Sequence, residues 1–384
     1  MSKKEYVKAM RKRYHATSGR QERGELLDEL VEVGGYSRKH AITLMNQKPP
    51  VKRKKPKKRP GRPRSYRHCL PVIEVLWETL DYCCAQRLHP QLVPLSEALA
   101  RHGEIQLTVE VREELSQISS ATLGRRLAEM HRPKPRPLIS RPHPSRLLKS
   151  QVPVDRYRWN EDRPGALEVD LVDHSGGLGR GHHAFTLSVV DVVSGWSRRR
   201  AVMGKSQAVV QEALHALLSD WPSSVWALHS DNGGEFLSAH LINYCKDQCI
   251  EYHRSRPYRK NDNAHVEQKN RQYVREVVGY ERIDTQAGLD WLNSIYAVLD
   301  PYANLFLPSL KVIEKTRQGS KVQKRYDTAR TPLERLRDKN GILPERANKL
   351  ERQQHHLNPL ELRRILDRLQ GQDPNLNQFQ EAAD

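Results

Sequence analysis

The sequence predicts a multidomain chain: all-α modules first, then an α/β domain built on a mixed five-stranded sheet, then a small basic C-terminal region. Three observations predict this. The first 130 residues carry helical periodicity, broken by glycine and by runs of proline and basic residues. From Ala166 the apolar spacing switches to strands of period two. After three such strands, strands and helices alternate, and the last stretch turns basic again. A chain of 384 residues has room for about two to four domains.

At the front, Leu26, Leu27, Leu30 and Val31 form one apolar stripe. Gly34-Gly35 breaks that helix, and Ser37 is placed to cap the next, Arg38 to Asn46. A helix, a glycine turn and a short helix carrying Arg38, Lys39 and His40 follow the pattern of a helix-turn-helix, and residues 1–47 are expected to form one. Residues 48–67 hold eleven Lys or Arg and no acid. Prolines forbid a continuous helix there, and like charges keep the arm extended. Its centre, Arg59-Pro-Gly-Arg-Pro-Arg64, looks like an AT-hook, a strip that lies in a narrow minor groove. Lys54, Lys55, Arg59, Arg62 and Arg64 are its candidate DNA contacts. Residues 68–130 return to helical spacing and are expected to form a second helical, helix-turn-helix module. In it Ser119 or Ser120 caps a helix that turns Leu123 and Leu127 inward and Arg125 and Arg126 outward. Residues 131–163 read as a proline-rich linker.

The charge balance narrows the partners. Sixty-five Lys or Arg against 46 Asp or Glu give a formal charge of +19, with a pI near 9.8. Such a chain seeks a polyanion. No apolar run of membrane length appears, and no apolar stretch follows Met1-Ser-Lys-Lys-Glu-Tyr, so neither a membrane nor export is expected. Five irregularly spaced cysteines fit a reducing interior better than a disulfide framework. Cys245 and Cys249, with His240 and His253 near them, are read as ordinary thiols rather than a zinc site.

In the α/β domain, residues 164–303, strands are expected at Ala166–Val172, His183–Val190 and Ser197–Met203, with Gly195-Trp196 in the last turn. Ser206–Leu218 is an amphipathic helix, Val225–His229 a strand, Phe236–Lys246 a helix and Ile250–His253 a strand. Asn261 to Val278 reads as one long helix, and Gln286–Pro301 as another. A three-strand meander followed by alternating helices and strands is the order of an RNase H-like domain. Residues 304–384 hold the basic stretch Leu310 to Tyr326, able to grip DNA or a partner subunit, then a helix from Pro359 to Leu369 capped by Asn358, then a polar tail.

Three acids stand out. On the first strand, period two puts Glu168, Asp170 and Val172 on one side. A carboxylate on a central strand is costly unless something takes its charge. Glu168 is a rival to Asp170, but lies two residues nearer the strand's start and deeper in the fold; Asp170 is preferred. Asp231 follows the fourth strand, at the edge where open α/β sheets bind ligands. Gly233-Gly234 lets the chain turn beside it, and Glu235 complements the next helix N-terminus. Glu267 lies in the long helix, with Asn263 and Arg271 one turn to either side on its face, Lys269 and Asn270 on one flank, and Arg259 and Lys260 in the loop before. Lys260, Asn263, Lys269 and Arg271 are further candidate DNA contacts. Three such acids clamp two divalent cations roughly 3.5–4 Å apart. Oxygen-only ligands favour Mg²⁺ or Mn²⁺, two ions per site. Such a pair activates water or a DNA 3′-hydroxyl and steadies the leaving oxygen, with no covalent protein–DNA link.

Residues 164–335 resemble the catalytic core of the integrase superfamily, which includes retroviral integrases and bacterial insertion-sequence transposases. The family pattern is Asp, Asp, then Glu after thirty-five residues. It falls here on Asp170 in Leu167-Glu-Val-Asp170, Asp231 in Ser230-Asp-Asn-Gly-Gly234 and Glu267 in Asn261-Asp-Asn-Ala-His-Val-Glu-Gln-Lys-Asn270. Thr328-Ala-Arg-Thr-Pro-Leu-Glu-Arg-Leu336 is similar to the segment that closes this core in bacterial transposases. No His-His-Cys-Cys front domain of retroviral type is visible, and the layout points to bacterial insertion elements. The resemblance implies a DNA transposase that cleaves at terminal inverted repeats and joins the freed 3′-hydroxyls to target DNA. It further implies a homodimer or higher multimer in a synaptic complex, and a place in the bacterial cytoplasm with the nucleoid. The alternatives are a DNA-binding regulator with an inactive core and an RNase H-type nuclease.

Overall fold

The computed structural model describes residues 3–47, 66–130, 163–177, 181–231, 236, 239–254, 263–318 and 321–372. The chain divides into two compact units, Met1–Arg64 and Ser65–Asp384. The AT-hook-like residues Lys54, Lys55, Arg59, Arg62 and Arg64 lie outside the described residues, as do Lys260, Gly233, Gly234, Glu235 and nearly all of the proline-rich linker.

The first unit holds three helices, α1 (Lys3–Ala16), α2 (Arg20–Gly34) and α3 (Arg38–Asn46). Gly35, at φ 69°, closes α2 by giving its N–H to the Val31 carbonyl, a left-handed cap that suits glycine. Ser37 then caps α3 by accepting from the His40 N–H. Met10, Leu27, Leu30, Ala41 and Met45 form the core. Arg11 Nε donates to the Leu44 carbonyl and a His15 ring nitrogen contacts the Met45 carbonyl, which ties α1 to α3.

The second unit begins with α4 (Leu70–Thr79), α5 (Ala85–Leu88) running into a 3₁₀ turn at His89–Gln91, α6 (Leu92–Arg101), α7 (Val109–Gln117) and α8 (Ser120–Glu129). Ser119 caps α8 through the Thr122 N–H, and Leu123 and Leu127 are buried as their spacing predicts. These helices share one hydrophobic core with the α/β domain. The Tyr302 hydroxyl donates to the Thr79 carbonyl, Arg87 to the Pro308 carbonyl, Gln91 to Glu334 and Asn358 to Glu104. The sequence divides this region into modules; the packing joins them, because α4 and α6 bury their apolar stripes against residues more than two hundred positions downstream.

The sheet comprises β1 (Ala166–Asp173), β2 (Ala184–Asp191), β3 (Ser197–Met203), β4 (Ala227–Ser230) and β5 (Glu251–Arg254), in the order β3-β2-β1-β4-β5. β1, β2 and β3 pair antiparallel; β4 and β5 run parallel to β1. Between and after the strands come α9 (Gln207–Leu218), α10 (Ala239–Asp247), α11 (Ala264–Asn270), α12 (Glu276–Val278) and α13 (Gln286–Leu305). The expected long helix is not uniform. A π-helical stretch, Arg271–Arg275, separates α11 from α12. Gly165 sits at φ 101°, and a Cβ there would fall 1.9 Å from the Ser224 carbonyl oxygen, so only glycine fits at the entry to β1. Its N–H donates to buried Asp191, which also accepts from the Ser194 backbone and hydroxyl.

β3 is an edge strand, and α13 covers its free edge. Asn304 accepts from the Ser197 N–H and donates to its carbonyl; Asp300 accepts from the Arg199 N–H; Asn293 accepts from the Ala201 N–H and donates to its carbonyl. Seven and four residues separate these three side chains, so one helix face meets alternate strand residues. An edge satisfied in this way offers no template to another strand.

Beyond α13 come the hairpin β6 (Val312–Gln318) and β7 (Lys321–Tyr326), then α14 (Pro332–Asp338), α15 (Pro344–His356) and α16 (Pro359–Gly371). Thr331 and Glu334 form a reciprocal capping box on α14, and Asn358 caps α16 as expected. Among the described residues no helix is long and apolar enough to cross a membrane.

Candidate active site

Asp170 on β1 lies just past the last β1–β4 pair, Val169 with Ser230, and so beside Asp231; α11, which carries Glu267, packs on β1 and β2. Asp170 is half-buried on β1, opposite Ser188 of β2. Burial, and next the negative charge of Asp231, push its carboxyl up from 3.8 to about 7; Glu267 adds to the rise. Asp231 and Glu267, on two other elements, therefore both bear on Asp170. Asn270 opposes the rise by donating from Nδ2 to Asp170 Oδ2 at 2.8 Å. Asn270 is buried and one turn beyond Glu267, so α11 holds Asp170 in orientation while presenting Glu267 at its surface.

Glu168 sits deeper, 1% exposed. Its Oε2 accepts the backbone N–H groups of His265 and Val266, both at 2.9 Å. Those are first-turn donors of α11, which a helix ordinarily offers to its own cap side chain. The residue in that position, Asn263, makes no such bond. Its Oδ1 is turned to His229 Nδ1 on β4 instead. Glu168 thus caps α11 from another element. Burial raises its carboxyl to about 8, against the pull of the two N–H groups. This places the rival acid: its oxygen is committed to the helix, while Asp170 stands further out.

The loop carrying Asp231 is held from β5. The Tyr252 hydroxyl lies 2.7 Å from Ser230 Oγ and donates to the Phe236 carbonyl at 3.0 Å. Phe236 is itself buried. Sequence reading missed Tyr252, Glu168's capping role and Asn270's link to Asp170. Only the last had a signal, since Asn270 follows Glu267 by a helical turn.

Two of the residues expected to contact DNA turn their side chains to partners within the fold. Asn263 is buried and engaged with His229. Lys269 turns its ammonium to the Tyr273 ring, 4.9 Å from the centroid, while Arg199 lies 4.6 Å from the same ring. Burial, and next the charge of Arg199, lower Lys269 to about 7. Arg271 is exposed and paired with Glu276. In the helical region Arg125 is exposed, while Arg126 is mostly covered and pairs with Glu129. In the first unit Lys39 is exposed, and Arg38 forms an ion pair with Asp28.

The side chains of Asp170, Asp231 and Glu267 offer oxygen donors, and a divalent cation would relieve both the burial of Asp170 and the charges of Asp231 and Glu267 that bear on it, so the residues suit a hard cation. Among the described residues, no group of three or more His, Cys, Asp or Glu is arranged to hold a metal ion as it stands.

The fold and site describe a strongly basic protein with a helical front unit and a mixed-sheet domain carrying clustered carboxylates. The chain is 36% identical over 332 residues to "Uncharacterized protein y4rM" of Sinorhizobium fredii (strain NBRC 101917 / NGR234), a match covering 86% of this chain and 94% of that protein. It belongs to the same family as y4rM. No known family profile matches it. Among solved structures it is similar to the cryoEM structure of the simian T-cell lymphotropic virus intasome in complex with PP2A regulatory subunit B56 gamma. The identity is 16%, over 30% of this chain and 40% of that chain, with a TM-score of 0.27. It is also similar to the catalytic core domain of BIV integrase, at 18% identity over 46% of this chain and 96% of that chain, with a TM-score of 0.31. Likeness at this level says nothing of chemistry.

Proposed function

We propose that the chain is a DNA transposase that cleaves at terminal inverted repeats and transfers the freed 3′-hydroxyls to target DNA. The observation that carries the reading is the half-buried Asp170 on β1, which feels the charges of both Asp231 and Glu267 from neighbouring elements. The formal charge of +19 supports a nucleic-acid substrate. Residues 1–47 serve as a helix-turn-helix, with Arg38 and Lys39 facing DNA, and the arm at 48–67 follows the minor groove.

Asp170, Asp231 and Glu267 would hold two Mg²⁺ or Mn²⁺ ions. Bound there, such ions supply a Lewis acid at the scissile phosphate and lower the pKa of an attacking water or 3′-hydroxyl. Asn270 keeps the Asp170 carboxylate oriented. Glu168 fixes the start of α11, and with it the position of Glu267. Tyr252 steadies the Asp231 loop. The chain acts on DNA in the bacterial cytoplasm, as a homodimer or higher multimer that brings two element ends together.

The test uses a duplex carrying the DNA that flanks the gene, incubated with the full chain and Mg²⁺. Nicking at repeat ends and joining to a second duplex are expected. Asp170→Ala, Asp231→Ala and Glu267→Ala should each reduce both to background while sequence-specific binding survives. Specific binding with no cutting under any divalent cation would instead indicate a regulator. End-independent cutting of an RNA–DNA hybrid would indicate an RNase H-type nuclease.

A further inference from the structure

We infer that the β6–β7 hairpin is a DNA-contacting ribbon that enters the major groove through one of its faces. The inference rests on the reading of the chain as a DNA-binding protein, but not on any catalytic activity.

The hairpin stands away from the core. Every residue of β6 after Val312 is exposed, and Ile313, Val322 and Tyr326 are 54%, 52% and 44% exposed. An isolated two-stranded ribbon is marginal in water by itself. Between Val312 and Tyr326 it carries five Lys or Arg and one acid. Register sorts these charges. Lys315 lies opposite Lys324 and Arg317 opposite Val322, while Glu314 lies opposite Arg325 and Thr316 opposite Gln323. Residues directly opposed share a face, and those two apart along a strand share it too. One face therefore holds Lys315, Arg317 and Lys324 beside Val322 and Tyr326, with no acid of the hairpin. The other holds the only acid, and Glu314 is paired there with Arg325 at 2.9 Å. A polyanion laid along that face meets Lys315, Arg317 and Lys324 together.

The root is rigid. Lys311 donates from Nζ to the Val192 and Val193 carbonyls, in the turn between β2 and β3. Its N–H donates to Asp327, which is gripped in turn by Arg335. The ribbon thus projects from the domain that bears the acids. A major groove about 12 Å wide admits a two-stranded ribbon, and the basic side chains meet phosphates while Val322 and Tyr326 meet the groove. Sequence-independent binding of this kind shows as salt dependence.

The test measures binding of the full chain to a fluorescein-labelled duplex of mixed sequence by anisotropy, across a range of KCl. The triple variant Lys315→Ala/Arg317→Ala/Lys324→Ala should bind more weakly. Its slope of log affinity against log salt should shrink by about 0.9 for each phosphate that is no longer neutralised. Thr316→Ala/Gln323→Ala, on the opposite face, should match the unsubstituted chain. Lys315→Arg/Lys324→Arg should preserve slope and affinity, which separates removal of charge from a misfolded hairpin. An unchanged slope in the triple variant overturns the inference. So does a change of oligomeric state, read by sedimentation, without a change in DNA affinity. Absence of DNA cleavage by the unsubstituted chain would sink the catalytic reading and leave this one standing.

Discussion

Asp170 concentrates the electrostatic tension of the site. Its carboxyl is protonated in the fold across a window where the unfolded chain is ionised, so the fold binds the extra proton and loses stability as pH rises from 3.8 to about 7. Melting temperatures of the metal-free chain should fall across that window, and Asp170→Asn should flatten the fall. An identical pH profile for the variant would show that Asp170 bears no such strain. Glu168 offers a second check. Glu168→Ala leaves two buried first-turn N–H groups of α11 without an acceptor, at about 1–3 kcal/mol. Glu168→Gln keeps an acceptor oxygen and should melt nearer the unsubstituted chain. Asn270→Ala leaves Asp170 unoriented and should lower DNA cleavage roughly 10–100-fold, the usual effect of removing a partner of a metal ligand. Binding to DNA should stay unchanged.

At the scale of elements, the edge of β3 decides how the sheet stops. Asp300 receives the Arg199 backbone N–H and pairs with its guanidinium, whose side chain is 1% exposed. Asp300→Ala leaves a buried charge without its counterpart, at about 3–5 kcal/mol, and opens the strand edge. A drop in melting temperature together with new aggregation is expected; a soluble variant of normal stability would contradict the role given to α13. Periodicity made much of this visible beforehand. All five strands, α3 with its Ser37 cap, α8 with its Ser119 cap and α16 with its Asn358 cap follow from local spacing and cap chemistry. What local spacing hides is packing between distant parts of the chain. The β3 edge needs Asn293, Asp300 and Asn304 from a helix about a hundred residues on, and α11 takes its cap from β1. The inward turn of Lys269 depends on Tyr273 and Arg199, which no helical wheel of one segment displays.

For the whole molecule, the two units should unfold separately. The first is small, with a core of five buried side chains, and such units are marginal. Leu30→Ala removes about 2–5 kcal/mol and should abolish an early calorimetric transition while leaving the main one in place. A single transition, shifted as a whole, would mean the units fold together. The large unit holds the front helices, the sheet and the C-terminal helices in one core, and the acids stand on that body. The most direct measurement is binding of Mn²⁺ to the full chain with a bound duplex, followed by electron paramagnetic resonance. Two Mn²⁺ per site are expected, coupled to one another, and Asp170→Asn, Asp231→Asn and Glu267→Gln should each abolish the coupling. Uncoupled Mn²⁺, bound equally by all three variants, would contradict a shared metal site at these acids.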